Sequence, residues 1–109
     1  EAIALTQTAT QRAPEVALGW YNLGLMLRRR GDIAAALEAY SRAVELDPNN
    51  AACHQNRAVA LLLGGDIEGS RAAFRTAITL LETQGRPVDA QALRTKAQGI
   101  VKLDLEPIA

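Results

Sequence analysis

The stretch that decides the fold is residues 17–50, which read ALGWYNLGLMLRRRGDIAAALEAYSRAVELDPNN. In its first half, Trp20, Leu23 and Leu27 recur at the spacing of one face of an α-helix. Gly24 stands on the same face and has no side chain, so a second helix can approach closely at that point. The first half therefore predicts a helix whose large apolar face has a gap at Gly24, where no side chain projects.

The second half predicts another helix that packs into this gap. Ala36, Tyr40 and Ala43 fall on one helical face, with a small residue on either side of a large ring. Between the two helices, Gly31 is suited to the left-handed backbone that ends a helix, and Asp32 is suited to capping the next one. The unit is a helix–turn–helix hairpin. Alone it cannot bury its apolar face, so it must stack on neighbouring units.

These residues occupy the signature positions of a known 34-residue repeat, and the stretch resembles a tetratricopeptide repeat. The signature positions 4, 7, 8, 20, 24, 27 and 32, counted from Ala17, hold Trp20, Leu23, Gly24, Ala36, Tyr40, Ala43 and Pro48. The resemblance implies an all-α fold, a right-handed α-solenoid of stacked antiparallel helix hairpins. It also implies protein–protein interaction as the function.

The same register extends along the chain and predicts one domain, residues 1–109, with about six helices. Residues 1–14 are expected to form the second helix of a preceding repeat, either as part of a longer solenoid or as an N-terminal cap. Residues 17–50 and 51–84 are two repeats, and residues 87–103 are a capping helix. The predicted apolar stripe of that capping helix is Ala90, Leu93, Ala97, Ile100 and Val101.

Composition and motifs argue against several classes of function. The 12 basic and 12 acidic residues balance, which favours neither nucleic acid nor an anionic membrane as partner. No apolar run approaches the roughly 18–20 residues that span a bilayer. The sequence has no glycine-rich phosphate loop, no metal-spaced cysteine and histidine set and no nucleophile elbow. We therefore predict no enzymatic activity, no cofactor, no metal and no membrane insertion. The single cysteine is compatible with a cytoplasmic location.

The second repeat departs from the family pattern at four positions, which hold His54, Arg57, Ser70 and Glu82. Cys53 and His54 are adjacent, so on a helix they point about 100° apart and do not form a nucleophile–base pair. We expect His54 to fill a partly buried aromatic position and Cys53 to pack as a small apolar residue. Arg57 stands in a core column, so it must either extend to solvent or pair with a carboxylate such as Glu38.

The resemblance implies that the first helix of each hairpin lines a concave groove. Asn22 and Asn56 hold the same groove position one repeat apart, and their amides, as donors and acceptors, can hold an extended peptide backbone. The alternative is that this asparagine is structural. Arg28 and Arg29 favour a partner with acidic character, or else they only stabilise the helix C-terminus. The candidate partner-binding residues are Tyr21, Asn22, Leu25, Arg28, Arg29, Gln55, Asn56 and Val59.

Three functional hypotheses follow. The first is a non-enzymatic scaffold that binds a partner protein or peptide in the concave groove. The second is self-association through exposed apolar residues at the end of the stack, such as Ile3 and Leu5, which would give dimers or end-to-end stacks. The third is an accessory domain of a longer enzyme.

Overall fold

The computed structural model describes residues 2–101, and within them the chain forms six α-helices and no strand. The helices are α1 (Ala2–Arg12), α2 (Ala17–Arg30), α3 (Ile33–Leu46), α4 (Ala51–Leu63), α5 (Ile67–Thr83) and α6 (Pro87–Val101). The predicted all-α class and the predicted number of helices are confirmed. Lys102 and Leu103, which the sequence assigns to the last helix, lie outside the described residues.

The helices pack in chain order as a stack of hairpins. The most extensive contacts lie within two pairs, α2 with α3 and α4 with α5. Further contacts join α1 to α2, α3 to α4 and α5 to α6. Each hairpin therefore covers the apolar face of the next one, as a helical-repeat solenoid requires.

The close approach of α2 and α3 depends on Gly24. The ring of Tyr40 is fully buried against it, and a Cβ atom placed on Gly24 would lie 2.8 Å from two ring carbons. Ala36 and Ala43 flank the ring on α3 and are also fully buried. The predicted packing of a large ring between small residues is confirmed, and it fixes the spacing of the first hairpin.

The second hairpin repeats this packing with a hydroxyl added. Phe74 of α5 takes the ring position and is fully buried, as are Ala58 and Ala77. Ser70 stands where the first repeat has an alanine, and its Oγ donates a hydrogen bond of 2.7 Å to the carbonyl oxygen of Ala58. This hydrogen bond offsets the cost of removing the hydroxyl from water, so this departure from the pattern fits the core.

The turn between α2 and α3 confirms one prediction and corrects another. Gly31 has a φ of 97°, and the backbone N–H of Asp32 donates to the carbonyl of Leu27 at 2.9 Å, which is the left-handed helix ending expected of glycine. The carboxylate of Asp32, however, does not cap α3. It pairs instead with Arg30 at 3.1 Å, so this predicted cap is wrong.

Side chains do cap the next two helices. The Oδ1 of Asn50 accepts hydrogen bonds from the backbone N–H groups of Ala52 at 3.0 Å and Cys53 at 3.3 Å. The side chain of Asn50 therefore caps α4. The carboxylate of Asp66 accepts from the N–H of Gly69 at 2.9 Å and begins α5 in the same way.

The last helix has a narrower buried face than predicted. Ala90, Leu93, Ala97 and Val101 are buried, but Ile100 is 42% exposed. The extensive contacts of α6 within the described residues are with α5, and one closely packed helix can bury only a single stripe. Val101 follows Ala97 by one helical turn and takes the buried position, which leaves Ile100 at the edge.

Candidate partner-binding groove

The first helices of successive hairpins, α2 and α4, adjoin each other, and α6 follows α4. Side chains from α2 and α4 meet directly, and one cavity opens between α2 and α4 and another between α4 and α6. The surface shared by these three helices is called the groove below, and of the predicted site residues Tyr21, Arg28, Gln55 and Asn56 take part in these contacts and cavities. Its geometry can therefore be built up from the contacts between the helices.

A hydrogen-bonded cluster ties α2 to α4 in the groove. The Nδ2 of Asn56 donates to the hydroxyl of Tyr21 at 2.9 Å and to the carbonyl of Ala52 at 2.9 Å. The Nη2 of Arg28 donates to the Oδ1 of Asn56 at 3.4 Å. Three of the eight predicted site residues are thus brought together by contacts between residues far apart in the sequence.

This cluster makes the two groove asparagines unequal. Both donors and the acceptor of the Asn56 amide are engaged within the protein, so the structural interpretation of this asparagine is the one its contacts favour. Asn22 is exposed, and its side chain forms no hydrogen bond within residues 2–101. Of the two amides, Asn22 is the one left open to a partner. Contact of either residue with a partner stays a prediction.

Two tyrosine rings pack against each other beside the cluster. The rings of Tyr21 and Tyr40 lie 6.1 Å apart between centroids at an interplanar angle of 58°, a tilted arrangement that aromatic pairs favour. Burial raises the pKa of Tyr40, and the guanidinium of Arg28 partly opposes the rise. Burial likewise raises the pKa of Tyr21, with Cys53 contributing in the same direction. Both hydroxyls therefore stay protonated at neutral pH.

Two buried polar atoms beside the cluster lack hydrogen-bond partners among residues 2–101. The hydroxyl of Tyr40 and the Nε of Arg28 are both buried, and neither has a hydrogen-bond partner of good geometry in the described part of the chain. Arg28 also forms no ion pair with any carboxylate of residues 2–101. The guanidinium therefore brings an uncompensated positive charge to the edge of the groove.

Two cavities lie side by side in the groove. The smaller, between α2 and α4, has a volume of about 150 Å³, and the larger, between α4 and α6, has a volume of about 290 Å³. The smaller is lined by residues that include Leu18, Tyr21, Asp47, Asn50, Ala52 and Cys53. The larger is lined by residues that include Ala52, Gln55, Leu81, Arg86, Asp89 and Lys96. Ala52 belongs to both, so its small, exposed side chain is the ridge between them.

The remaining predicted site residues differ in exposure. Leu25 and Val59 are half-buried, and Arg29 is exposed without an ion pair among the described residues. Gln55 lines the larger cavity. All four are on α2 or α4, as the repeat register predicts, so the groove contains both apolar and cationic side chains.

The sequence interpretation missed the part played by α6. Treated only as a cap, α6 was given no groove residues, yet Arg86, Asp89 and Lys96 line the larger cavity. Arg86 pairs with Asp89 at 2.9 Å, which neutralises both, while Lys96 has no ion pair in the described part of the chain. The order of the helices gave a partial signal, because α6 follows α4 along the chain much as α4 follows α2, but it did not show which side chains of α6 face α4.

His54 and Cys53 are structural. His54 is 8% exposed, and its Nε2 lies 2.8 Å from the carbonyl oxygen of Pro48. One repeat earlier, the Nε1 of Trp20 donates to the carbonyl of Pro14 at the same distance. Since a carbonyl only accepts, His54 carries its proton on Nε2. The prediction that His54 fills an aromatic position is confirmed.

Cys53 packs in the interior, where its thiol is unreactive. Its side chain is 1% exposed, and burial, with a smaller contribution from Asp47, raises its pKa to about 11. The thiolate, the reactive form, is therefore scarce at neutral pH. Nowhere in residues 2–101 do three or more histidine, cysteine or acidic side chains form a group that could hold a metal ion.

Arg57 forms no ion pair within the described residues. Its Nε donates to the hydroxyl of Ser41 at 3.5 Å, and it forms no ion pair with Glu38 or any other carboxylate of residues 2–101. Of the two alternatives expected for Arg57, extension to solvent or pairing with a carboxylate, the ion pair is not formed within these residues. The side chain is half-buried, so its charged end reaches solvent along α3, as a long basic side chain can do without an acidic partner.

The fold agrees with comparisons to known proteins. Models of the tetratricopeptide repeat family match residues 17–50 and residues 39–92. Together these matches span residues 17–92, more than two thirds of the chain. The chain belongs to the tetratricopeptide repeat family. Repeats of this family generally mediate protein–protein interaction.

Proteins of several organisms are similar to this chain. Tetratricopeptide repeat protein 36 of Mus musculus is 36% identical over 63 residues, which are 58% of this chain and 34% of the relative. A TPR repeat-containing protein of Synechococcus elongatus is 43% identical over 58 residues, 53% of this chain and 14% of the relative. Protein FlbA of Caulobacter vibrioides is 33% identical over 89 residues, 82% of this chain and 14% of the relative. The chain thus matches about a third of the first relative's length and about a seventh of the other two.

None of the helices within residues 2–101 is both long and apolar enough to cross a lipid bilayer.

Proposed function

We propose that this tetratricopeptide repeat module is a non-enzymatic scaffold that binds a segment of a partner protein in the groove of α2, α4 and α6. The observation that carries the proposal is the cluster of Tyr21, Arg28 and Asn56, which holds α2 and α4 together and so pre-forms the groove. A pre-formed surface binds a partner without having to order itself first. The residues that meet the partner include Asn22, Leu25, Arg29, Gln55 and Val59.

The charges of the groove favour an acidic partner. Arg28 and Arg29 stand together at the end of α2, and neither forms an ion pair with a carboxylate of residues 2–101. Cations without nearby acids attract an acidic segment and raise its rate of association. Arg30 is not part of this set, because Asp32 neutralises it.

Charge reversal at one exposed position tests the proposal. Arg29→Glu should weaken the capture of partner proteins from the native lysate by about tenfold, which corresponds to roughly 1.4 kcal/mol. Arg75→Glu is the matched control, because Arg75 is an exposed arginine on α5, outside the groove, and has no ion pair in the described part of the chain. A melting curve for each variant shows whether it is folded. If a folded Arg29→Glu variant captures its partners as well as the Arg75→Glu variant does, the groove is not the binding surface.

Self-association is a second candidate, favoured by exposed apolar side chains near the ends of the stack. Leu5 on α1 is 71% exposed and Val88 on α6 is 80% exposed. Such residues on two copies could pack together as dimers or end-to-end stacks. Sedimentation velocity over a range of concentrations tests this, because a monomer at every concentration rejects it.

A role as an accessory domain of a longer enzyme, and a cytoplasmic location, stay predictions of the sequence alone.

A further inference from the structure

We infer that the partner segment is acidic and extended, and that it places two apolar side chains three residues apart in the two cavities on either side of Ala52. This inference rests on the proposed function, because it specifies the occupant of the same groove. It is carried by the paired cavities, the small ridge between them and the charges around them.

The arrangement of the cavities indicates two anchoring side chains. Both cavities open beside the N-terminal half of α4, and Ala52 lines each of them. A chain that crosses α4 at this point passes over a methyl group and meets a cavity on either side. The cavity toward α6 is about twice the volume of the other, about 290 against about 150 Å³, so it should take the larger side chain.

The distance between the cavities sets the spacing of the anchors. Each cavity lies between two neighbouring helices, and packed helices lie roughly 8–10 Å apart. A polyproline II chain advances about 3.1 Å per residue with three residues per turn, so residues i and i+3 point to the same side about 9 Å apart. In a β-strand, residues i and i+2 share a side but are only about 7 Å apart. The i and i+3 spacing of the more open chain is the one that matches this usual separation of packed helices.

The charges around the cavities select acidic flanking residues. Lys96 lines the larger cavity, and Arg28 and Arg29 lie farther along α2; none of the three has an ion pair within residues 2–101. The carboxylates that line the cavities are engaged, since Asp89 pairs with Arg86 and Asp47 accepts from the side chain of Asn50 at 3.3 Å. An acidic residue beside the anchor in the larger cavity would therefore meet Lys96, and acidic residues farther along α2 would approach Arg28 and Arg29.

Selection from a random dodecapeptide library displayed on phage, against the intact chain, tests the inference. We expect the enriched peptides to share two apolar residues with two residues between them, and aspartate or glutamate beside them. The strongest peptide is then synthesised with a fluorescent label, and its affinity is measured by anisotropy. Ala52→Arg, which fills the ridge with a long side chain, should weaken binding at least tenfold. The matched control is Ala72→Arg, at an exposed alanine on α5, which should leave the affinity unchanged.

The outcomes separate this inference from the proposed function. If Arg29→Glu weakens the selected peptide but Ala52→Arg does not, the groove binds peptides and the two cavities are not the anchors. If neither change has an effect, or no peptide is enriched, both the inference and the proposed function are wrong.

Two other occupants of the groove are also distinguished. Displacement of the labelled peptide by a synthetic peptide with the sequence of residues 102–109 would assign the groove to the chain's own end and overturn the inference. A dimer in sedimentation velocity that Ala52→Arg dissociates would assign it to a second copy and overturn the inference as well.

Discussion

Replacing Gly24 with alanine tests the close helix packing on which the groove depends. The new Cβ would stand 2.8 Å from the Cδ1 and Cε1 atoms of Tyr40. Carbon atoms in favourable contact lie about 3.5–4.0 Å apart, so α2 and α3 must separate by several tenths of an ångström. The ring of Tyr40 is fully buried and cannot swing into solvent to relieve the overlap. We therefore expect a loss of stability.

The size of the loss is the difference between two opposing effects. Overpacking a well-packed core by one methyl group costs about 1–3 kcal/mol. Against this, alanine is about 0.8–1.0 kcal/mol more favourable than glycine inside a helix. The net effect on Gly24→Ala is then a loss of about 1 kcal/mol, which lowers the melting temperature by roughly 4–8 °C in a domain of about 100 residues.

A second glycine provides the control. Gly99 also lies in a helix, α6, and a Cβ placed there meets no atom within 4 Å, so Gly99→Ala should keep only the favourable helix term. Both variants are unfolded in urea and followed by far-UV circular dichroism. Gly24→Ala should be about 1–3 kcal/mol less stable than Gly99→Ala, and the gap should shrink when Tyr40 is replaced by leucine. Equal stability of the two variants would refute the packing argument.

Two further predictions concern capping and pH. Asn50→Ala should destabilise the chain by about 1 kcal/mol, because the Asn50 side chain caps α4. Asp32→Ala should have a smaller effect, because the Asp32 carboxylate makes no capping hydrogen bond. Urea unfolding of both variants checks this, and a larger loss of stability at Asp32 would contradict it. The pKa of Cys53 is raised from 9.0 to about 11 in the folded state. Above pH 9 the unfolded chain therefore loses the thiol proton before the folded chain does. As a result, the free energy of unfolding falls by at most about 1.4 kcal/mol per pH unit until about pH 11. Cys53→Ala should remove that part of the alkaline slope, and an unchanged slope would mean that the thiol is not protected.

What could be predicted from the sequence is what depends on neighbours within one repeat. Gly24, Ala36 and Tyr40 stand at fixed spacings, and the sterics of two adjoining helices leave little choice about where they pack. The same holds for Gly31, where the left-handed turn requires only the local backbone. These features repeat with the register, so a single motif was enough to assign the helices and the buried rings.

What could not be predicted depends on competition between partners or on the relative placement of helices. Asp32 has the right chemistry for a cap, but Arg30 lies close enough to take its carboxylate. Arg57 lacks a carboxylate because Ser41, not Glu38, faces it across the hairpins. The groove face of α6 depends on the turn around Gly85, where the repeat register changes, so the sequence pattern alone did not show where α6 faces α4.

The contacts of Asn56 decide how the groove must be tested. Removing its amide would break the bonds to Tyr21 and Arg28, so Asn56→Ala could weaken partner binding simply by loosening α2 from α4. Loss of binding in that variant would therefore not show that Asn56 touches a partner. Arg29 and Ala52 have no such role, since both are exposed and their side chains bond to no other part of the described chain. Changes at these two positions alter the charge and the shape of the groove while leaving its framework in place.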